Sequence, residues 1–250
     1  MSRRSAREAD RVFVAEGAKV LGEALASGAS VEAVFVAPEG RGATEDAVIA
    51  LAYERGARVH DLAPGVLERV AGTVTPQPVL GIVSYVDVEL STLRASADGA
   101  FVVICVDVRD PGNAGTVLRS AEAAGAAGVI CCAGTVDVYN PKTVRASAGS
   151  LFHVPVVTGG SPVEVLDEVA SWGVRRLATV AHDGSPYDEI DLTGPVAFVL
   201  GNEANGLPDG LDAHIDEAVT IPMIGRTESL NVGMAAAVLC FEAARQRRAA

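Results

Sequence analysis

The sequence predicts an α/β protein made of two units, and three observations lead to this prediction. Helix-like and strand-like segments alternate from Val12 onward, the strand-like segments are short and strongly apolar, and one polar stretch without periodicity interrupts the alternation. Alternation at this spacing indicates βα units, with helices covering the faces of a mostly parallel sheet. A chain of 250 residues with 49% hydrophobic residues can bury a sizeable core and has room for one or two domains.

The first unit is predicted to alternate three helices with three strands. The helices cover Glu16–Ser27, Thr44–Arg55 and Pro64–Ala71, and the strands cover Val31–Ala37, Val59–Leu62 and Val79–Tyr85. The stretch Asp87–Ala100 is polar, rich in alanine and without a clear period, which is typical of a linker. We therefore expect a small domain at residues 1–87, a linker at 88–100 and a second domain at 101–250.

The second unit repeats the alternation and ends in a long helix. Its predicted strands are Phe101–Asp107, Gly128–Cys132, Leu177–Ala181, Val196–Leu200 and Ala218–Ile221, and its predicted helices are Gly115–Ala124, Lys142–Ser147, Pro162–Trp172 and Asn231–Arg248. The final helix carries apolar or small residues nearly all round its first three turns, so it must be buried on most sides. Because one sheet face covers only one stripe of a helix, we expect a second subunit to cover another stripe. Helices of the same domain are the alternative.

The charge balance argues against broad, charge-driven binding of nucleic acid. The formal net charge is −12, and phosphate contacts need lysine and arginine. Residues 1–95 are the less acidic part, with 10 basic and 13 acidic side chains against 10 and 19 in residues 96–250. Four arginines cluster at the start of the chain, Arg3, Arg4, Arg7 and Arg11. They form either a local basic patch or a solvated, frayed end.

Several other classes of protein find no support in the sequence. No apolar run reaches the roughly 18–20 residues of a membrane span, and the start MSRRSAREADR lacks the apolar core of a signal peptide, so we expect a cytoplasmic protein. The four cysteines lie in apolar surroundings without CxxC spacing, which predicts buried free thiols. The four histidines are scattered, so no metal site is expected.

Three turns that follow apolar strands in the second unit are rich in small and amide residues. They are DPGNAG from Asp110, LGNEANGLPDG over Leu200–Gly210 and IPMIGRTESLNVG over Ile221–Gly233. Ligands of open α/β sheets gather outside the carboxyl ends of the strands, so the three turns are expected to converge on one pocket. None of them matches GxGxxG or GxxxxGK[ST], which leaves the type of ligand open.

The polar side chains of these turns include neither a cluster of metal-binding carboxylates nor a Ser–His pair. They are Asn113, Arg119, Asn202, Glu203, Asn205, Ser229 and Asn231. Each has a purely structural interpretation, since Asn favours turns and Ser229 or Asn231 could cap the last helix. Arg119 is the hardest to explain structurally, because it lies one helical turn after Gly115, near where a ligand phosphate would sit.

Four segments together resemble one known family. DPGNAGTVLRSAEAAG, NPKTVRASAGSLFHVPVV (Asn140–Val157), VLGNEANGLPD and IPMIGRTESLNVGMAAAVLCFEAARQR occur in the order found in the SpoU family of RNA ribose 2′-O-methyltransferases. The resemblance covers about residues 101–248. The segment RVFVAEGAKVLGEALASG ahead of VEAVFVA is similar to the small substrate-binding domain, related to a ribosomal-protein fold, that many members carry.

The resemblance implies a trefoil-knotted, mostly parallel-sheet methyltransferase domain preceded by a small α/β substrate-binding domain. It implies S-adenosylmethionine as cofactor, RNA as substrate, with ribosomal RNA favoured over transfer RNA, and a homodimer that needs neither metal nor membrane. The residues that match the family's catalytic motifs are Asn113, Arg119, Glu203, Ser229 and Asn231. Those that match its cofactor-binding loops are Gly201, Ile221, Met223 and Leu230.

A ribose hydroxyl is a poor nucleophile, so positioning it in line with the methyl group is expected to be the larger part of catalysis. Arginine is a poor base at its ordinary pKa, so Arg119 is expected to orient an RNA phosphate. Either that phosphate or a perturbed guanidinium would accept the proton of the ribose hydroxyl, and the sequence does not distinguish between these two acceptors. Two rival functions are an RNA-binding protein without catalysis and an NAD-dependent oxidoreductase; the second lacks the GxGxxG fingerprint.

Overall fold

A computed structural model describes residues 4–70, 76–96 and 100–249. The chain forms two compact units. The first joins the chain up to Val86 with the later segment Tyr139–His153, and the second contains Asp87–Val138 and the chain from Val154 onward. Arg3, the predicted helix end Ala71 and residues 97–99 of the expected linker lie outside the described residues.

Among the described residues, eight helices and strands precede residue 87. The helices are α1 (Arg4–Asp10), α2 (Ala18–Ser27), α3 (Ala43–Glu54) and α4 (Val66–Val70), and the strands are β1 (Val12–Glu16), β2 (Val31–Val36), β3 (Arg58–Asp61) and β4 (Val79–Ser84). Their sheet has the order β1-β4-β2-β3. Because β4 runs antiparallel to both β1 and β2, this sheet is mixed, and the expectation of a mostly parallel sheet was wrong for the first unit.

The rest of the chain contains five α-helices and seven strands within the described residues. The helices are α5 (Leu93–Ser96), α6 (Pro111–Ala123), α7 (Pro141–Ala146), α8 (Pro162–Ser171) and α9 (Val232–Ala249). The strands are β5 (Phe101–Cys105), β6 (Gly128–Cys131), β7 (Val156–Thr158), β8 (Arg175–Val180), β9 (Ser185–Pro186), β10 (Val196–Leu200) and β11 (Glu217–Thr220).

Tyr139 anchors the segment 139–153, which includes α7, within the first unit. Its ring is almost fully buried and stacks on Tyr85 at 3.7 Å between centroids, with Phe13 at 4.9 Å. Its hydroxyl accepts a hydrogen bond from the Val86 backbone N–H at 2.9 Å. Farther along the segment, His153 bonds to the Glu23 carboxylate of α2 at 2.8 Å. The domain boundaries expected from the sequence stay a prediction. The structure groups the segment Tyr139–His153 with the first unit, which the sequence did not indicate.

The sheet of the second unit has the order β7-β6-β5-β10-β8-β11-β9, and all its pairings are parallel. The prediction of a mostly parallel sheet is therefore confirmed for this unit. Every residue of β5 and β10 is buried, as expected for strands covered on both faces. Parallel pairing places the carboxyl ends of β5, β10 and β11 along one edge. The trefoil knot stays a prediction.

Helix α9 packs against α6, and glycine allows their close approach. A Cβ atom at Gly233 would lie 3.0 Å from Cβ of Thr116, closer than ordinary packing. The face of α9 that carries Leu239, Cys240 and Ala243 is buried, whereas Met234 and Phe241 are exposed. Within the described residues, no helix combines the length and apolar composition that crossing a bilayer requires.

Candidate active site

The first turn is shaped by a left-handed residue and a helix cap. Asp107, with φ of 56°, ends the run of β5, so the predicted strand Phe101–Asp107 stops at Cys105. The Asp110 carboxylate then accepts a hydrogen bond from the Asn113 backbone N–H at 2.8 Å, and Pro111 occupies the first helical position. This cap and proline start α6 at residue 111, four residues before the predicted Gly115.

Glu203 joins the first turn to the second. Its Oε1 accepts hydrogen bonds from Asn113 Nδ2 at 2.8 Å and from the Asp110 backbone N–H at 3.2 Å. Its Oε2 accepts one from the Arg109 backbone N–H at 3.3 Å. Partial burial opposes ionisation of Glu203, but the hydrogen bond from Asn113 and those from backbone N–H groups hold the pKa of its carboxyl below the ordinary value. Glu203 is therefore a structural anion of this site.

Asn231 adds the third turn to the same network. Its Nδ2 donates to Asn113 Oδ1 at 2.8 Å, while its Oδ1 accepts from the Gly233 backbone N–H at 2.9 Å. Asn231 is thus the cap of α9, which explains why the helix begins at Val232 rather than at the predicted Asn231. The three predicted residues Asn113, Glu203 and Asn231 form one hydrogen-bonded chain across all three turns.

Asn202, a residue outside the predicted catalytic and cofactor sets, organises the second turn. Its Nδ2 donates to the Asp107 carbonyl at 3.0 Å, and its Oδ1 accepts from the backbone N–H groups of Ala204 and Asn205. Its own backbone pairs with Gly206 in both directions. The two asparagines of the sequence GNEANG could have indicated that a side chain organises this turn, because a side-chain amide can donate and accept hydrogen bonds at once.

A cavity of about 650 Å³ opens beside this network. The four predicted cofactor-binding residues, Gly201, Ile221, Met223 and Leu230, line it together with Glu203 and Ser229. Gly201 permits the tight wall, since a Cβ atom there would lie 2.4 Å from the carbonyl carbon of Gly206. The roles of these residues stay predictions, but the structure brings them to one place.

Two further parts of the wall were not anticipated from the sequence. The end of β8 contributes residues 178–181, and the approach to β11 contributes residues 215–218. The hydroxyl oxygen of Thr179 is buried there without a hydrogen-bond partner among the described residues. A buried polar atom of this kind is suited to a polar ligand, which would supply the missing bond.

Arg119 lies apart from the hydrogen-bonded network. It is exposed on α6, six residues after Asn113 and therefore about 9 Å farther along the helix axis. It does not line the cavity. Its guanidinium forms no hydrogen bond or ion pair within residues 4–70, 76–96 and 100–249. A charged, exposed and unengaged side chain at this distance is available for a ligand that approaches from solvent.

The described part of the chain contains no group of three His, Cys, Asp or Glu side chains placed to hold a metal ion. All four cysteines are buried, as predicted. Burial raises the pKa of Cys132 and Cys240 to about 12, so both thiols stay protonated at neutral pH.

A parallel sheet with three hydrogen-bonded loops at its carboxyl edge, two of which line a cavity, is typical of a cofactor-binding α/β enzyme. Residues 100–241 match the SpoU rRNA methylase family, and residues 1–81 match the MRM3-like substrate binding domain. The chain belongs to the SpoU rRNA methylase family and is an S-adenosylmethionine-dependent RNA ribose 2′-O-methyltransferase. The family resemblance found in the sequence is therefore confirmed.

Individual relatives agree over nearly the whole chain. The 23S rRNA (guanosine(2553)-2′-O)-methyltransferase RlmP of Bacillus subtilis is 35% identical over 236 residues, covering 94% of this chain and 89% of the relative. The SpoU methyltransferase AviRb from Streptomyces viridochromogenes, in complex with the cofactor AdoMet, is 30% identical, with a TM-score of 0.86 over 99% of this chain and 95% of that one. An AdoMet-bound rRNA methyltransferase from Sinorhizobium meliloti is 31% identical, with a TM-score of 0.82 over 98% and 91%.

The cavity suits S-adenosylmethionine on the evidence of its own walls. Its volume lies within the roughly 300–1,000 Å³ typical of small-molecule sites. The backbone of Gly201 approaches closely, and the Thr179 hydroxyl and Glu203 carboxylate offer polar contacts. The absence of a glycine-rich dinucleotide fingerprint fits this arrangement, because the second and third turns, the end of β8 and residues 215–218 build the walls.

Proposed function

We propose that the chain methylates a ribose 2′-hydroxyl of ribosomal RNA, in the cytoplasm, with the cavity holding S-adenosylmethionine. The observation that carries this proposal is the chain of hydrogen bonds Asn231–Asn113–Glu203, which ties three loops together at the cavity's edge. The names of the relatives support ribosomal RNA over transfer RNA, since RlmP of Bacillus subtilis is named for 23S rRNA.

The network acts by holding loops in position. The first and third turns are linked through Asn113, and the second is linked to the first through Glu203 and Asn202. Glu203 and Leu230 also line the cavity, so the same contacts set the shape of the cofactor site. Holding two reactants in the correct geometry can supply several kcal/mol of catalysis, on the order of 7–11 kcal/mol in the best cases.

Arg119 is proposed to bind and orient the phosphate next to the reacting hydroxyl. Its exposure and lack of partners among the described residues leave its planar fork available for two oxygens of one phosphate. S-adenosylmethionine, when bound, supplies an electrophilic methyl group. Ser229, in the cavity wall, is proposed to contact the cofactor or the hydroxyl directly, since Asn231 rather than Ser229 caps α9.

The enzyme is proposed to work as a homodimer. Met234 and Phe241 are seven residues apart on α9, so they share one face of the helix, and about half of each side chain is exposed. Leu230 and Ile224 in the preceding loop are exposed as well, and Ile224 is fully so. Large apolar side chains that cluster on a surface mark an interface, and a second copy of the same face is the proposed partner.

Mapping of 2′-O-methyl groups tests the proposed reaction. Ribosomal RNA from cells with and without the gene would be compared at nucleotide resolution, and one ribose should lose its methyl group in the deletion strain. Restoration by the wild-type gene, but not by an Arg119→Ala allele, would assign the reaction to this site. An unchanged methylation pattern in ribosomal RNA, with a lost site in transfer RNA, would refute the choice of substrate.

A further inference from the structure

Arg109 also lies at the carboxyl edge of the sheet, in the turn after β5, and the structure holds both its backbone and its side chain in place. Its neighbour Val108 is fully buried. Its backbone N–H donates to Glu203 Oε2 at 3.3 Å, and its Nε donates to Asp107 Oδ1 at 2.8 Å. An arginine fixed in this way loses little conformational freedom when it binds a ligand.

The guanidinium of Arg109 nevertheless keeps most of its binding capacity. Asp107 engages only Nε, and the two Nη groups have no partner among the residues that the structure describes. By contrast, Asp216 engages Arg176 through both Nε and Nη2, which leaves much less of that fork available. The Arg109 side chain is 72% exposed, so an anion can reach it from solvent.

The surroundings favour a phosphate over a carboxylate side chain or a free metabolite. The formal net charge of the chain is −12, so phosphate contacts depend on individual arginines whose N–H groups are available, as those of Arg109 are. Asp107 and Glu203 raise the pKa of Arg109, chiefly through the Asp107 hydrogen bond, so its charge is permanent. RNA brings several phosphates next to the ribose that enters a site, and arginine binds phosphate through paired N–H groups.

We propose that Arg109 binds an RNA phosphate that neighbours the methylated nucleotide, as a second contact beside Arg119. Asp107 is its positioning residue, because it sets the direction of the guanidinium. This inference rests on the proposed function and adds a substrate contact that the family motifs do not include. Arg109 contacts RNA only, so it serves binding rather than the transfer of the methyl group.

The test measures RNA affinity as a function of salt. Filter binding of ribosomal RNA purified from cells lacking the gene would be followed from about 50 to 250 mM KCl, with the slope of log affinity against log salt as the readout. Arg109→Gln should weaken binding about five- to ten-fold at 100 mM KCl and reduce the slope by about 0.7–0.9, the loss of one phosphate contact. Arg109→Lys should keep the slope while losing two- to four-fold in affinity.

Arg248→Gln is the matched control. Arg248 is exposed at the end of α9, next to Arg247, whose side chain bonds to the carbonyls of Ala100 and Gly194 just before β5 and β10. Arg248→Gln therefore removes one positive charge at the opposite edge of the sheet. The slope of log affinity against log salt for this variant should equal that of the wild type. S-adenosylmethionine affinity should stay within about two-fold of wild type in Arg109→Gln, because Arg109 does not line the cavity.

Two results would overturn the inference. An Arg109→Gln slope equal to that of Arg248→Gln would show that Arg109 meets no phosphate. A loss of cofactor affinity with an unchanged slope would show that Arg109 only holds the loops. If the wild type transfers no methyl group to this RNA, both the proposed function and this inference are wrong. If the wild type transfers the methyl group but Arg109→Gln keeps the wild-type salt slope, only this inference is wrong.

Discussion

Asn113→Asp should break the loop network while preserving its shape. Asn113 Nδ2 lies 2.8 Å from Glu203 Oε1, and the substitution replaces that donor by a carboxylate oxygen of almost identical size. Oδ1 remains an acceptor for Asn231 Nδ2, so the third loop keeps its bond. The variant therefore removes one hydrogen bond and sets two carboxylates against each other.

The free energy of unfolding should fall by about 3.5 kcal/mol at pH 8. Unit charges about 4 Å apart repel by ~1 kcal/mol in water and ~4 kcal/mol at an effective dielectric constant of ~20, so a half-exposed pair costs about 2 kcal/mol. The lost hydrogen bond to a charged acceptor adds about 1.5 kcal/mol. Because the pair sits at the edge of the cavity, affinity for S-adenosylmethionine should fall in parallel.

The destabilisation should shrink as the pH falls. Two adjacent carboxylates raise the pKa of one of them above its ordinary value, so the penalty is fully present above that raised pKa. It disappears as the pH drops toward about 4, the unfolded pKa of aspartate. In the wild type, Glu203 has a lowered pKa, so its stabilising contribution is present above its unfolded pKa and is lost only in stronger acid. The difference between the two proteins should therefore be at least halved at pH 5.

Urea unfolding at pH 8, 6.5 and 5 measures this difference directly. Asn205→Asp is the control, because it adds the same charge in the second turn, which carries Glu203, while the Asn205 side chain has no partner within the described residues. Its effect on stability should stay below about 0.5 kcal/mol at all three pH values. A loss in Asn113→Asp that is equally large at pH 5 and pH 8 would refute the reasoning, as would a loss no larger than that of the control.

Two further variants test the cofactor wall and the assembly. Gly201→Ala should reduce S-adenosylmethionine affinity at least ten-fold in titration calorimetry, because its Cβ would lie 2.4 Å from the Gly206 carbonyl carbon, whereas Gly194→Ala, with open space around it, should bind normally. Normal binding by Gly201→Ala would contradict the placement of the cofactor. The wild type should scatter light with about twice the mass of the 25.6 kDa chain, and Phe241→Glu should halve it while Tyr53→Glu, on the first unit, should not. A monomeric wild type would overturn the dimer.

The sequence predicted the second unit well because its signals are local. The run Val196–Leu200 is apolar throughout, as a buried parallel strand requires, and its boundaries match the structure. The turns could also be assigned to one edge, because the carboxyl ends of parallel strands meet there. The hydrogen bonds within the site could not be predicted from the sequence. Asn113 and Asn231 are 118 residues apart, and no local pattern encodes which side-chain amides bond to each other.

The missed features depend on contacts between distant segments. The five-residue strand β1 was not predicted, and its last residue, Glu16, was assigned to the helix Glu16–Ser27. No helix was predicted at α1, whose arginines were interpreted as either a basic patch or a frayed end. The segment 139–153 packs with the first unit through Tyr139, a contact that the helical pattern of Lys142–Ser147 does not reveal. Residues 215–218 line the cavity, although nothing in their composition differs from that of an ordinary loop and strand.

Single-turnover methyl transfer by Arg119→Ala tests the central claim most directly. The purified variant and the wild type would be incubated with S-adenosylmethionine and ribosomal RNA from cells lacking the gene, and the digested nucleosides would be identified by mass spectrometry. The account predicts one 2′-O-methylated nucleoside with the wild type and at least a hundred-fold slower transfer with Arg119→Ala. Cofactor affinity should be nearly unchanged, because Arg119 lies outside the cavity. Near-normal transfer by the variant, or a methyl group found on a base instead of a ribose, would contradict the account.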